Sequence, residues 1–376
     1  MKKNKWEWKK LGDVCQINPP KKELQDLDED TLVSFIPMAL VSEQGKIINQ
    51  EDKPIKDVLK GFTYFREGDV LVAKITPCFE NGKRALAKGL KHEIGFGSTE
   101  FHVLRPKSAV LAEWLYYAIS SLNFRIDGGR NMTGTAGQKR VPKQFLENYQ
   151  IPVPPLPIQQ KIVSILERAE SLKQKREQAN EETNKIIQNI FYKMFGDPHL
   201  NEKGFEILSG KDIFILSSGK FNPTKNLDES YSYPTYGGNG VTGNSKEYLI
   251  DFDTIVIGRV GAYCGSVYRT KGKIWITDNA IYLKEILKNV NLDYLLYFFK
   301  TQNLNKFSAQ SGQPKITQKP LENMKILFPP ISLQNQFASI VEKIESIKQK
   351  QSKATEEINT LFDALMQKAF KGELVD

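Results

Sequence analysis

A shift of 175 residues lays this chain on itself. It carries Pro154-Pro155-Leu156-Pro157-Ile158-Gln159-Gln160 onto Pro329-Pro330-Ile331-Ser332-Leu333-Gln334-Asn335. Without a gap it then carries Glu170-Ser171-Leu172-Lys173-Gln174-Lys175 onto Glu345-Ser346-Ile347-Lys348-Gln349-Lys350, and Gly137-Gln138 upstream onto Gly312-Gln313. Farther upstream the likeness thins and the offset drifts. Trp114-Leu115-Tyr116-Tyr117 falls on Tyr294-Leu295-Leu296-Tyr297, 180 residues on, and Asp69-Val70-Leu71-Val72 on Asp253-Thr254-Ile255-Val256, 184 on. A drifting offset marks insertions, which collect in loops. Such a chain is one plan used twice, a variable globular unit followed by a strongly repeated segment.

The repeated segment reads as a long helix. In the first copy a 4-3 apolar spacing runs through Ile162, Ile165, Ala169 and Leu172, and resumes at Ile186 and Ile190. The second copy runs through Phe337, Ile340, Ile344 and Ile347 and resumes at Ile358, Leu361 and Leu365. That period is a coiled-coil seam, and the two helices are expected to bury their stripes on each other. Arg176 and Gln351 interrupt both seams at one repeat position, either as a polar layer that fixes register or as a solvent-facing kink. Proline runs at residues 151–157 and 328–330 bar helix upstream, and Gly196-Asp197-Pro198 and Lys371-Gly372 mark the ends. The expected organisation is a globular unit over 1–153, a helical region over 154–197, a second globular unit over 198–328 and a second helical region over 329–376.

Within the first unit, residues 68–74 read as a turn into a buried strand, 100–104 as a half-buried strand, and 111–123 as a helix. The second repeats the order, with strands at 254–257 and 281–283 and a helix at 292–300. The fold class is therefore α+β: two similar globular domains related by an internal repeat and joined by two long helices.

Several chemistries are excluded. No run of 18 apolar residues exists to span a membrane, and the basic N-terminus lacks the apolar core of a secretory signal. Three scattered cysteines make neither a disulfide framework nor a zinc site, and fit a reducing cytoplasm. Asn18-Pro19-Pro20-Lys21 resembles the adenine-receiving tetrapeptide of N6-adenine methyltransferases but has Lys21 where a ring should stack, so it reads as a loop. Gly238-Asn239-Gly240-Val241-Thr242-Gly243 matches a dinucleotide fingerprint in letters only, lacking the helix after it, and reads as a glycine-rich loop. There is no phosphate-binding loop for ATP, and His92, His102 and His199 have no ligand spacing. No catalytic residue, metal site or cofactor site is nominated.

The charge balance, 53 Lys and Arg against 44 Asp and Glu, gives +9 and favours a polyanionic partner. Candidate DNA-contacting residues lie in polar, glycine-punctuated loops. In the first unit they are Lys74, Lys83, Arg84, Arg130, Gln138, Lys139 and Arg140; in the second, Tyr236, Asn239, Lys246, Arg259, Asn279, Gln313 and Lys315. Arg and Lys bridge guanine O6/N7, Asn and Gln pair with adenine N6/N7, and the remaining cations suit phosphates.

The pattern resembles a known family, the specificity subunit of type I restriction-modification systems. The likeness covers nearly the whole chain. It rests on Trp8-Lys9-Lys10-Leu11-Gly12-Asp13-Val14, Gly68-Asp69-Val70-Leu71 and the two Pro-Pro-x-x-x-Gln helices. Tyr233-Pro234-Thr235-Tyr236-Gly237-Gly238-Asn239-Gly240, Thr277-Asp278-Asn279-Ala280 and the closing Lys368-Ala369-Phe370-Lys371-Gly372-Glu373-Leu374 complete it. The second opening, Phe205-Glu206-Ile207-Leu208, departs from the tryptophan-containing form. The resemblance implies a non-catalytic subunit with two target-recognition domains, each reading half of a split, asymmetric duplex DNA target. The helices would form an antiparallel coiled coil that spaces the half-sites. It also implies two modification subunits that carry S-adenosylmethionine and methylate adenine, restriction-translocase subunits that cleave, and no cofactor on this chain. From the residues alone a second reading stays open, a non-enzymatic coiled-coil adaptor whose two domains bind proteins.

Overall fold

A computed structural model of the chain describes residues 6–135, 137–308 and 314–375. It divides into two units. The first holds the chain up to Lys175 together with the stretch from Thr355 onward; the second runs from Arg176 to Ala354.

Among the described residues, each unit contains one two-stranded and two four-stranded sheets, with matching strand order. In the first unit Glu7–Lys10 pairs antiparallel with Gln150–Val153. One four-stranded sheet has the order Cys15–Ile17, Phe101–Pro106, Val70–Ala73, Arg84–Leu86. The other has Glu51–Pro54, Leu32–Ile36, Ile94–Gly97, Thr63–Arg66, with its central pair parallel. The second unit repeats this with Glu206–Ser209 on Lys325–Phe328, then Phe214–Ser218, Ala280–Ile286, Thr254–Gly258, Val267–Thr270. Its remaining sheet, Gly240–Ser245, Tyr233–Gly237, Lys273–Ile276, Ile250–Asp251, again pairs its centre in parallel. The second opening, though it lacks tryptophan, thus makes the same strand pairing as the first.

The central strands are buried on both faces. Val70 and Val72 join the core shared with the helix Ala112–Ile119, whereas Leu71 joins the core between the two sheets with Ile36 and Phe65. Ile255 and Ile257 against Val256 divide the same way in the second unit. Phe101, His102, Val103 and Leu104 are likewise all buried, so the strand expected to be half-buried is fully enclosed. The stretch read as one helix over 111–123 is two: after Ile119 the Ser121 hydroxyl accepts the Phe124 N–H at 3.3 Å and caps a new helix, Leu122–Arg130.

The long helices run Leu156–Phe195 and Ile331–Lys371. Each covers its own globular core: Ile162, Val163 and Leu166 in the first unit, Phe337, Val341 and Ile344 in the second. The other helix completes each core. Phe191 and Phe195 meet Phe337 at ring-centroid distances of 5.5 and 5.4 Å, while Ala369 and Phe370 pack into the Trp114 core of the first unit. Within the second unit the pairing is antiparallel, since Thr183 meets Gln351 while the later residue Phe191 meets the earlier Phe337. Two expectations change. The stripes are shared between helix and globular partners, and the seam lies one residue off at alternate positions. Leu172, Ile186, Ile347 and Leu361 are exposed, whereas Leu166, Ile187, Val341 and Ala369 are buried. A helix packed against two surfaces presents a wider face than a two-stranded seam. The polar layer is real at Gln351, whose Nε2 donates to Thr183 Oγ1 at 3.0 Å.

Among the described residues, no helix is long and apolar enough to cross a membrane, and no group of three or more His, Cys, Asp or Glu could hold a metal.

Candidate nucleic-acid interface

In both units part of the candidate set gathers where the central strand ends. In the first, Val70–Ala73 runs out into Lys74, whose N–H donates to the Glu100 carbonyl at 2.9 Å and whose carbonyl accepts the Val141 N–H at 2.8 Å. Ile75 then bridges to Arg140. In the second, Thr254–Gly258 runs out into Arg259, whose N–H donates to the Asn279 carbonyl at 3.0 Å and whose carbonyl accepts the Ile316 N–H at 2.9 Å. Val260 bridges to Lys315. Lys74, Glu100 and Arg140 therefore stand where Arg259, Asn279 and Lys315 stand, three backbone segments pinned by one hydrogen-bond pattern.

The chemistry at these matched places differs. Arg140 grips Glu100 with Nε at 3.1 and 3.0 Å and Nη2 at 2.7 Å, and its Nη1 donates to the Gln138 carbonyl at 3.1 Å. Those bonds hold the Glu100 carboxyl below the usual carboxylate range. The second unit puts neutral Asn279 and Lys315 there, both exposed. Arg259 turns partly inward, with Nη1 donating to Ser218 Oγ at 2.9 Å. The first site is thus a preformed ion pair, while the second sets two cations, Arg259 and Lys315, beside an amide, with no ion pair to either among the described residues.

Not every candidate belongs to these clusters. Gln138 and Lys139 are exposed on the segment leading to Arg140, where the Lys139 carbonyl accepts the Thr76 N–H at 2.9 Å. Lys83 follows the same strand end but directs Nζ to the Met38 carbonyl at 3.3 Å. Arg84 is engaged within the fold, bonded to Ser120 Oγ and lying over the Tyr116 ring at 5.1 Å. Arg130 is exposed at the end of its helix, 3.9 Å from Asp127. Tyr236, half-buried, reaches the second cluster through its carbonyl, which accepts the Thr277 N–H at 2.8 Å. Lys246 lies past the far end of the hairpin strand Gly240–Ser245, away from that cluster. Gln313 lies outside the described residues.

The glycine-rich stretch is a hairpin rather than a free loop. Tyr233–Gly237 and Gly240–Ser245 pair antiparallel, and exposed Asn239 sits in the turn ahead of Gly240 at φ +81°. The turn presses on Gly258, where an added Cβ would lie 2.5 Å from the Gly238 carbonyl oxygen, so only glycine fits. The Asn18 tetrapeptide is structural. Asn18 Oδ1 accepts the Val103 N–H at 3.0 Å, and Lys21 Nζ donates to the Leu59 carbonyl and, at 3.0 Å, to Phe62. Asp69 of the Gly-Asp-Val-Leu motif is buried and gripped by Arg105 at 2.9 and 2.8 Å.

Sequence reasoning missed Glu100 and Ser218, which orient Arg140 and Arg259, and the exposed rings of Phe221 and Tyr263 beside the second cluster. Glu100 comes opposite Asn279 only through strand register, with Ala73 paired to Phe101 as Gly258 is paired to Ala280.

The family model described as "Type I restriction modification DNA specificity domain" matches residues 3–182 and again 202–360. The specificity subunit of type I restriction enzyme EcoAI from Escherichia coli is 47% identical over 160 residues, and that match spans 42% of this chain and 27% of the relative's length. The EcoprrI specificity subunit from Escherichia coli is 26% identical over 365 residues, 91% of this chain and 88% of that one. The crystal structure of the type I restriction-modification S subunit from M. genitalium aligns with a TM-score of 0.62 at 18% identity, covering 98% of this chain and 97% of that chain, a likeness of fold.

Proposed function

The chain belongs to the type I restriction-modification DNA specificity family, and on that premise we propose that it is the subunit through which such a complex reads duplex DNA. Each globular unit takes one half of a split, asymmetric target, and the chain itself performs no chemistry. Two modification subunits, which hold S-adenosylmethionine, and the restriction-translocase subunits are directed to the site it marks. One observation carries the reading: Lys74, Glu100 and Arg140 recur as Arg259, Asn279 and Lys315 at one place in two units of matching topology, with the chemistry changed. Matched position with altered donors and acceptors is what reading two different short sequences requires. Glycines close to these clusters allow backbone approach to phosphates, and the net charge of +9 supplies the non-specific attraction.

The test is co-expression with the modification subunits followed by long-read mapping of N6-methyladenine. A split motif with a fixed spacer, absent without this chain, is the expected result. An assembled, active complex that methylates with no dependence on this chain would overturn it.

A further inference from the structure

The two units differ in one respect that the matched clusters do not explain. On the segments that border Arg259 two aromatic rings stand in solvent: Phe221 is 72% exposed and Tyr263 51% exposed. The corresponding stretches of the first unit, residues 18–22 and 75–78, contain no aromatic residue.

The backbone leading to each ring is pinned. The loop before Phe221 is fixed by the Gly219 N–H to the Ala280 carbonyl at 3.1 Å and the Lys220 N–H to the Ile276 carbonyl at 2.9 Å. Trp275 Nε1 adds a bond to the Lys220 carbonyl at 3.1 Å. Tyr263 ends a turn that starts at Gly261, which has φ +72° and donates to the Pro314 carbonyl at 3.1 Å. Ser218, three residues before Phe221, accepts a hydrogen bond from the Arg259 guanidinium, and the Tyr263 carbonyl oxygen would lie 2.7 Å from a Cβ added at Gly258, so the backbone segments bearing both rings border the strand end that carries Arg259. Exposed Lys220 and Lys315 stand nearby. An apolar protein partner would call for apolar neighbours around the rings; cations and glycine turns suit a polyanion with stackable faces.

We propose that Phe221 and Tyr263 are wedges that enter the base stack of the half-site read by the second unit, so that this chain unstacks one half of its target and leaves the other stacked. The proposal rests on the DNA-reading function above. Ring insertion costs stacking in the duplex and is offset by new aromatic contacts and closer approach of Arg259 and Lys315.

The experiment uses the complete complex of this chain with its modification subunits, on target duplexes carrying 2-aminopurine at successive positions other than the methylated adenines. Expected is a fluorescence rise at one or two steps of the second unit's half-site. It should vanish in the Phe221→Ser, Tyr263→Ser double variant, with affinity down about tenfold, the scale of one base–aromatic stack. Absence of any such rise in wild type, with methylation of the split motif intact, overturns the wedge and spares the DNA-reading function. A rise unchanged in the double variant also overturns it, as does loss of the modification subunits from that variant, which would make the rings a protein contact. Failure of the complex to methylate any split motif would count against the underlying function instead.

Discussion

Gln159 and Gln334 occupy equivalent positions in the two halves, and both are fully buried clamps. Gln159 Nε2 donates to the carbonyls of Pro154 at 2.8 Å and Ala109 at 2.9 Å, while Oε1 accepts the Leu111 N–H at 2.8 Å. Gln334 Nε2 donates to Pro329 at 2.8 Å, and its Oε1 accepts the Asn291 N–H at 2.9 Å. Each ties the first turn of a long helix to the backbone that opens the nearby globular helix. The glutamine of Pro-Pro-x-x-x-Gln is therefore a joint, and Gln159→Leu strands buried donors and acceptors. It should cost about 2–4 kcal/mol, read as a lower denaturant midpoint.

His102 gives the first unit a pH-dependent stability. Its Nε2 faces the Val141 carbonyl at 2.9 Å and so carries the proton, leaving Nδ1 to accept from Asn18 Nδ2 at 3.2 Å. Burial holds its pKa below the ordinary histidine value. Below about pH 6.5 the unfolded chain takes up a proton that the folded unit does not. Stability should fall as pH drops through that value toward the lower folded pKa. His102→Gln should flatten this part of the profile, measured as urea midpoints between about pH 7 and pH 5.

At the polar layer, Gln351→Leu should leave stability unchanged or raise it by roughly 1 kcal/mol. Thr183 keeps its own bond to the Ala179 carbonyl at 2.7 Å, so its hydroxyl retains a partner. The expected loss is of unique helix register, detected as extra cross-linked species with paired cysteines. A marked drop in melting temperature would contradict this account.

Two cations should separate by what they touch. Lys315 is exposed and, as a phosphate contact, Lys315→Ala should weaken binding to all sequences and reduce the salt slope by about one. Arg140, oriented by Glu100, should lose about 1–3 kcal/mol on Arg140→Ala, with relaxed sequence preference in one half-site only. Competition binding over a salt series and methylation mapping give both readouts.

The repeat made the two-unit plan legible, along with the long helices and the central strands at Val70 and Thr254. Short strands such as Cys15–Ile17 and Arg84–Leu86 were not, because three residues carry no readable period. The enclosed strand Phe101–Pro106 misled because alternation shows which face a residue takes, not whether the opposite face is also covered. The seam went wrong at Leu172 and Leu361 because one apolar stripe serves two partners, and sequence spacing does not assign residues between them. Arg84 was chosen as a cation in a loop; its bond to Ser120 and its place over Tyr116 depend on a helix more than 30 residues away. The matched placement of Glu100 and Asn279 needed strand register, which the drifting offset blurred.

Ala369 and Phe370 complete the core around Trp114, yet the segment that bears them follows the whole of the second unit in the chain. Of the two units, the one that begins earlier in the chain is consequently finished later. The second unit is a single continuous stretch and can close as soon as it emerges, while the first waits with an open flank until the helix Ile331–Lys371 is made. A premature stop after Ala354 would spare the later-made unit and cripple the earlier one.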